Sequence, residues 1–582
     1  MADAPPREAA REAPLASRDG CCARPGQTQD VTTTVSATPP IRIDPGEPGL
    51  ISRNPRTGAE HRSRPATPLE SVEAACRAAR TLFDAAADAA ATATATVLGT
   101  APDSAGLLRA LATELTGATE ELVPVADAET ALGEVRLRGE IARTAFQLRA
   151  FADLVGSPAL LDPVLDTADA HRVPPRADQR SLQIPLGPVA VFAASNFPFA
   201  FGVLGGDTAS ALAAGCPVVA EAHPAQPETS ALLAEVARRA VRTAGVPEAW
   251  LQVVQGAGAE AGQALVTAPG ISAVGFTGSF AGGRALLAAA AQRAEPIPVY
   301  AEMGSLNPVF VGAGALAERP AELADAWVAT LTTNAGQLCT KPGLLVVTRA
   351  DGPGRGIAAD FEASVGRALA AATVPPMLAP RLRDGLRGRW ADLAAVPGAR
   401  TLLGTAPEPA GPAAPGLEQQ AGVVVVDAAR VLATPTVLEE AFGPVGVLVV
   451  AESPAQALEL ARALPGSLTA SVHLGNGDDA WGGELLAVLR NRAGRLVVDG
   501  WPTGVSVGWA TVHGGPWPAT SAPATTSVGL GAARRFTRPV AFQGVPDRLL
   551  PPELQDANPR RLLRRIDGVL SDRDVRDDGS EA

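Results

Sequence analysis

Aromatic side chains make up only 4% of this chain and cysteine occurs five times in 582 residues, as Cys21, Cys22, Cys76, Cys216 and Cys339. An odd and sparse set of thiols excludes a disulfide framework and points to a reducing compartment, so a cytoplasmic location is expected. None of the five stands at metal-ligand spacing from a histidine, so no metal is expected. The charge balance of -12 leaves no basic surplus to displace counterions, which argues against nucleic acid as a partner. No apolar run approaches the roughly 20 residues a membrane span requires, and no membrane partner is expected. The first stretch, MADAPPREAAREAPLASRDG, lacks an apolar core of the signal-peptide kind. A strict G-x-G-x-x-G turn is missing too: Gly256, Gly258 and Gly262 have the wrong spacing.

What is present is alternation. Residues 1–45 are rich in Pro, Thr and Ser without apolar period and read as a disordered extension, with Cys21 and Cys22 inside it. From about 68 to 152 the pattern is helical. In the last of these helices Arg136, Glu140, Arg143 and Gln147 recur by steps of four, three and four on nearly one face. That face is either solvated or lines a substrate channel.

Short apolar runs then alternate with helical segments: PVAVFAA (188–194), CPVVAEA (216–222), LQVVQG (251–256), ISAVGFTGS (271–279) and IPVYAEMG (297–304). Apolar strands separated by helices of 10 or more residues predict a parallel, doubly wound α/β sheet covered on both faces. Such sheets bind dinucleotides at the strand C-termini. The glycine-rich turn GFTGSFAGG (275–283) lies between strand and helix, where backbone N–H groups and Ser279 could receive a pyrophosphate. After Asn307 a second α/β alternation runs through GVVVVDA and GRLVVDG. The chain ends in a Pro- and charge-rich tail expected to be partly mobile.

Two residues carry candidate chemistry. Cys339 stands at a helix-to-strand turn among Gly336, Gln337 and Thr340, a position open to either a core thiol or a nucleophile. Glu302 is the one acid in an apolar strand, either a base with a raised pKa or a salt-bridged strand end. Asn196 offers an amide in the loop after the first strand, where a turn-forming role is equally available.

The order of these segments resembles the aldehyde dehydrogenase superfamily over about residues 45–550. NPRTG (54–58), SNFPF (195–199), FTGS (276–279), AEMGS (301–305), GQLCT (336–340) and EEAFGP (439–444) carry the resemblance. Within the superfamily it is to the α-ketoglutarate semialdehyde (2,5-dioxopentanoate) dehydrogenase group, through LGPVAVFAASNFPFAF, AHPAQPETS, GWPTGV, VHGGPWPATS and FTRPVAFQ. The resemblance implies two doubly wound α/β domains, one for cofactor and one catalytic, plus a small oligomerisation element. The expected layout is a cofactor domain at 46–305 with an oligomerisation segment near 155–185, a catalytic domain at 306–510, a return to the cofactor domain with an oligomerisation strand at 511–550, and a tail at 551–582.

It further implies that Cys339 attacks an aldehyde, that Asn196 and the Cys339 N–H hold the oxyanion, and that Glu302 activates water for thioester hydrolysis. NAD(P)+ would meet Ser195, Phe197, Glu221, Phe276, Gly278, Ser279, Glu440 and Phe442. Arg143, with Gln147 beside it, is the candidate for the substrate carboxylate. A dimer or tetramer of identical chains is expected. The group tends toward NADP, but Glu221 stands where the family ordinarily has Lys, and a carboxylate there accepts from a ribose hydroxyl and repels a 2′-phosphate. Asp499 replaces a usual Asn, either altering the substrate loop or facing solvent. The alternatives carried forward are a medium- or long-chain fatty aldehyde as substrate, and a structural homologue without turnover. Glu302 argues against a relative that transfers the acyl group instead of hydrolysing it.

Overall fold

Valine-rich strands with helices between them can bury both faces only inside a sandwich of helices, and the chain builds two such layers. A computed structural model describes residues 49–92, 103–349, 356–406 and 416–575. The extension at 1–45, with Cys21 and Cys22, lies outside the described residues.

The first sheet has five parallel strands in the spatial order Leu251–Gln255, Val218–Ala222, Val189–Phe192, Ala273–Thr277, Val299–Glu302. The order reverses direction at Val189–Phe192, the switch point where such sheets open a crevice. Successive side chains alternate between faces. Val189, Val191, Val218 and Ala220 therefore join a core with Leu111, Leu148 and Phe151, while Ala190, Val219 and Val274 join another with Cys76 and Leu265. Every expected strand of this layer is present, each shortened at one or both ends.

The second sheet has seven strands, with Val309–Val311 between Leu344–Thr348 and Ser467–His473. All pairs are parallel except that of Arg400–Leu403 with Gly422–Asp427. Again one valine run serves two cores: Val424 and Val426 face one, Val423 and Val425 the other.

A third sheet pairs Thr537–Gln543 with Gln179–Pro185 antiparallel over seven residue pairs. The segment expected as a mobile tail extends it. Arg564–Ile566 runs parallel to Val164–Asp166, and Val569–Ser571 closes a hairpin on it. Leu550 and Leu554 pack on Leu161, Leu165 and Leu182. Arg180 locks the segment, donating to the Leu554 carbonyl and pairing with Asp178 and Asp556. A Pro- and charge-rich composition conceals this because its few leucines and arginines find partners more than 350 residues away. Among the described residues no helix is long and apolar enough to cross a membrane.

The turn preceding Thr537–Gln543 is fastened to the first sheet by a buried ion pair, Arg535 Nη2 to Asp207 Oδ1 at 2.6 Å. Removing one member leaves the other charge buried and alone. Arg535→Met is therefore expected to lower stability by about 3–5 kcal/mol in denaturant titrations. The double variant Arg535→Met/Asp207→Leu should recover much of that loss, and equal losses in the two would refute the pairing as its cause.

Candidate active site

Cys339 is presented by an unusual turn. The helix Pro320–Thr332 is followed by Asn334 (φ 53°), Ala335 (φ 53°) and Gly336 (φ 66°), three consecutive left-handed residues. Two of them carry a Cβ, a backbone cost of about 1–3 kcal/mol each that persists only where surroundings impose it. At Gly336 a Cβ would stand 2.2 Å from the Gly443 carbonyl oxygen, so only glycine fits. The turn is held from three sides. Asn307 Nδ2 donates to the carbonyls of Cys339 and Lys341, Asn196 Nδ2 donates to that of Gln337 at 2.9 Å, and Lys341 Nζ reaches the turn at 441–445.

Glu302 ends its strand buried, 3% exposed, and its carboxylate meets a residue that sequence reading did not single out. Its Oε2 accepts from His513 Nδ1 and from Ser527 Oγ, both close contacts. The other ring nitrogen, His513 Nε2, lies 3.5 Å from Cys339 Sγ. Glu302, His513 and Cys339 thus stand in line. Burial alone would push the His513 pKa down, but the facing Glu302 and Cys339 outweigh it and carry it up to about 10. Glu302 is therefore paired with an imidazolium through Oε2, while its Oε1 is buried and unpartnered among the described residues. The signal for His513 was within VHGGPWPATS, quoted for its resemblance, but a lone histidine 211 residues from Glu302 has no spacing to declare the pair.

The polar helix face is not solvated. Glu140 is 5% exposed and Gln147 4%. Glu140 Oε1 accepts from the backbone N–H groups of Phe199 and Ala200, both at 2.9 Å, so one carboxylate fixes the Asn196 loop. Arg136 donates to the Asn196 carbonyl at 2.7 Å and lies 4.6 Å over the Phe197 ring. Arg143 lies 5.8 Å over Phe201, whose ring is 6.4 Å from that of His513. Among the described residues Arg143 makes no hydrogen bond and no ion pair. Gln147 instead packs its amide against Gly206, and it hydrogen-bonds to neither Cys339, Glu302 nor His513.

The residues suited to a dinucleotide line the strand C-termini. Ser279 caps the helix Phe280–Ala291 by accepting from Gly282 N, with Gly278 and Ser279 exposed and the Phe276 ring beneath Gly278. Glu221 is largely buried between Gly256 and Gly262, and burial raises its pKa to about 7. Ser195 and Phe197 flank Asn196, the Ser195 carbonyl accepting from Gln226 Nε2. Glu440 lies against Gly304, its Oε1 buried without a partner, with Phe442 following it in the turn. An orphaned carboxylate oxygen at that crevice suits a ribose hydroxyl. Asp499 (φ 50°) accepts from Leu474 N at 3.0 Å and pairs with Arg319 at 2.8 Å, so its charge ties neighbouring strand ends together.

Residues 46–499 match the model of the aldehyde dehydrogenase family. The chain is 44% identical over 499 residues to alpha-ketoglutaric semialdehyde dehydrogenase 2 of Azospirillum brasilense, covering 85% of this chain and 91% of that protein. It is 38% identical to alpha-ketoglutaric semialdehyde dehydrogenase of Acinetobacter baylyi, over 81% of this chain and 88% of that one. Among solved structures it resembles PnpE from Pseudomonas sp. WBC-3 in complex with nicotinamide adenine dinucleotide, with a TM-score of 0.69 at 22% identity over 85% of this chain and 94% of that one. Apo betaine aldehyde dehydrogenase from Staphylococcus aureus gives a TM-score of 0.70 at 19% identity, over 86% and 93%.

An imidazolium beside a thiol favours the thiolate. Replacing His513 with Gln is expected to slow alkylation of Cys339 by iodoacetamide roughly tenfold near neutral pH. The gap from wild type should close as pH rises past about 10, where His513 loses its proton. Equal rates at pH 7 would remove His513 from the chemistry of the thiol.

Proposed function

The chain belongs to the aldehyde dehydrogenase family, and from that premise we propose that it oxidises 2,5-dioxopentanoate to 2-oxoglutarate with Cys339 as nucleophile. The in-line arrangement of Glu302, His513 and Cys339 carries the chemical part of this reading. Family members use NAD(P)+. Here 46–305 is the cofactor domain, rejoined by 511–550, and 306–510 the catalytic one. The strand Thr537–Gln543 belongs to a surface that joins identical chains.

Bound nicotinamide supplies the acceptor for the aldehyde hydrogen. The protein's own residues do the rest. His513, oriented through Nδ1 by Glu302, stands 3.5 Å from the Cys339 sulfur, which attacks the carbonyl carbon as the thiolate. The developing oxyanion is received by the Asn196 amide and the Cys339 N–H. Once the hydride has left, Cys339 holds a thioester. Glu302, through its unpartnered Oε1, takes the proton of the attacking water. Glu440 and Phe442 would hold the nicotinamide ribose, and Ser195, Phe197, Phe276, Gly278 and Ser279 would meet the rest of the cofactor.

Arg143 supports the choice of an acidic aldehyde. It is a cation packed on Phe201, near His513 and without an ion-pair partner among the described residues, and a substrate carboxylate would supply one. Both curated relatives named above are semialdehyde dehydrogenases by name. Arg143→Leu should raise the KM for 2,5-dioxopentanoate about 10–100-fold, the worth of a charge-assisted hydrogen bond, and leave that for pentanal nearly unchanged. Equal effects on both aldehydes would discard Arg143 as the carboxylate site. Cys339→Ala should abolish NAD(P)H formation from any aldehyde, and residual turnover would exclude Cys339 as the nucleophile.

Glu221 favours NAD over NADP. Its carboxyl is protonated below about pH 7 and charged above, so the charge that repels a 2′-phosphate grows as pH rises. The ratio of kcat/KM for NAD to that for NADP should climb from pH 6 to pH 8. In Glu221→Gln the ratio should be flat, and a ratio equally steep in that variant would exclude Glu221 as its source.

A further inference from the structure

Of the 49 lysine and arginine residues in this sequence, Lys341 is the one lysine. A chain that otherwise carries its positive charge as guanidinium has an ammonium at a single position, two residues past Cys339. The structure shows what that position asks of its occupant. Lys341 is 0% exposed, and Nζ donates to the carbonyls of Ala441, Gly443 (3.2 Å) and Val445 (2.9 Å). Three acceptors converge on one nitrogen. An ammonium has three donors on a point, whereas a guanidinium spreads its donors along a planar fork and is wider than this site. A neutral amine has two hydrogens for three acceptors, so the full set of bonds requires the cation.

A buried cation needs a counter-charge. The first residue before the turn is Glu440, and burial pushes its carboxyl up while it pushes Lys341 down, each opposed by the other's charge. Glu440 already sits against Gly304 and accepts from Ser305 N, with Oε1 left free. The same turn bears on Gly336 from the other side, through the Gly443 carbonyl.

We infer that Lys341 is a positioning residue that ties the Cys339 turn to the 441–445 turn and so sets Glu440 where it can receive the nicotinamide ribose. The residue that holds the cofactor and the residue that presents the thiol thereby move as one piece. This inference rests on the role given to Glu440 above and adds the residue that aims it.

The single lysine makes the test direct. Protein labelled with 15N at lysine Nζ carries one ammonium signal per chain. Titration with NAD+ should shift that signal in the wild type and leave it in place in Glu440→Gln. Lys341→Met should weaken NAD+ binding, measured by protein fluorescence, about tenfold or more, but only about threefold or less in the Glu440→Gln background, since residues that act through each other are not additive. Lys341→Arg should fail to restore affinity. A lysine whose job is packing alone would give additive losses and a signal indifferent to NAD+. Should Lys341→Met not fold, the wild-type titration still decides. A Glu440→Gln defect with an unmoved lysine signal at saturating NAD+ overturns the inference on Lys341 alone. Glu440→Gln binding NAD+ as well as wild type overturns the role of Glu440, and this inference with it.

Discussion

The left-handed turn through Asn334, Ala335 and Gly336 is the constraint on which the rest of the site depends. It aims the Cys339 sulfur at His513 instead of into the core, and nothing in its own sequence would keep it so. It is kept by groups from both large sheets. Asn307 follows the last strand of the first, Asn196 follows its switch-point strand, and the 441–445 turn enters a strand of the second. The strained turn is thus the seam between two layers, each rigid through its own valine-packed cores. A catalytic geometry spread over residues so distant in sequence requires such rigidity, because a displacement of about 1 Å in either layer can cost about a hundredfold in rate.

Buried charges differ in how fully the protein pairs them. Several buried ions meet a protein partner: Arg535 with Asp207, Arg180 with Asp178 and Asp556, Glu140 with two backbone N–H groups and Arg136. Near the thiol and the strand C-termini other charged groups are left open. Among the described residues Arg143 stands over Phe201 without an ion pair, the Glu221 carboxylate lies between two glycines without a hydrogen bond, and Glu440 and Glu302 each keep one unpaired oxygen. Desolvated polar atoms are tolerated where a ligand completes them.

The doubly wound layers were legible because apolar strands and amphipathic helices impose their period locally, and the strand bearing Glu302 is read as easily as its neighbours. Cys339, Glu302 and Asn196 could be named from the sequence because each stands in a short run whose wording resembles a family. The helix face of Arg136, Glu140, Arg143 and Gln147 was visible as a pattern, but its burial was not. Period three and four describes which side chains share a side, and it is silent on whether water or another loop covers that side. The pairing of 551–575 with the third sheet was hidden by composition, since its few leucines and arginines do their packing against strands that precede them by hundreds of residues.

The sequence by itself determined the layers, the order of the motifs and the identity of the thiol and carboxylate, all of which are encoded within about ten residues of chain. Only the tertiary structure decided which imidazole links Glu302 to Cys339, which carboxylate steadies Asn196, and what the one lysine is for. Those are contacts between segments 59 to 211 residues apart. Distance in sequence carries no record of distance in space until the two sheets are set against each other.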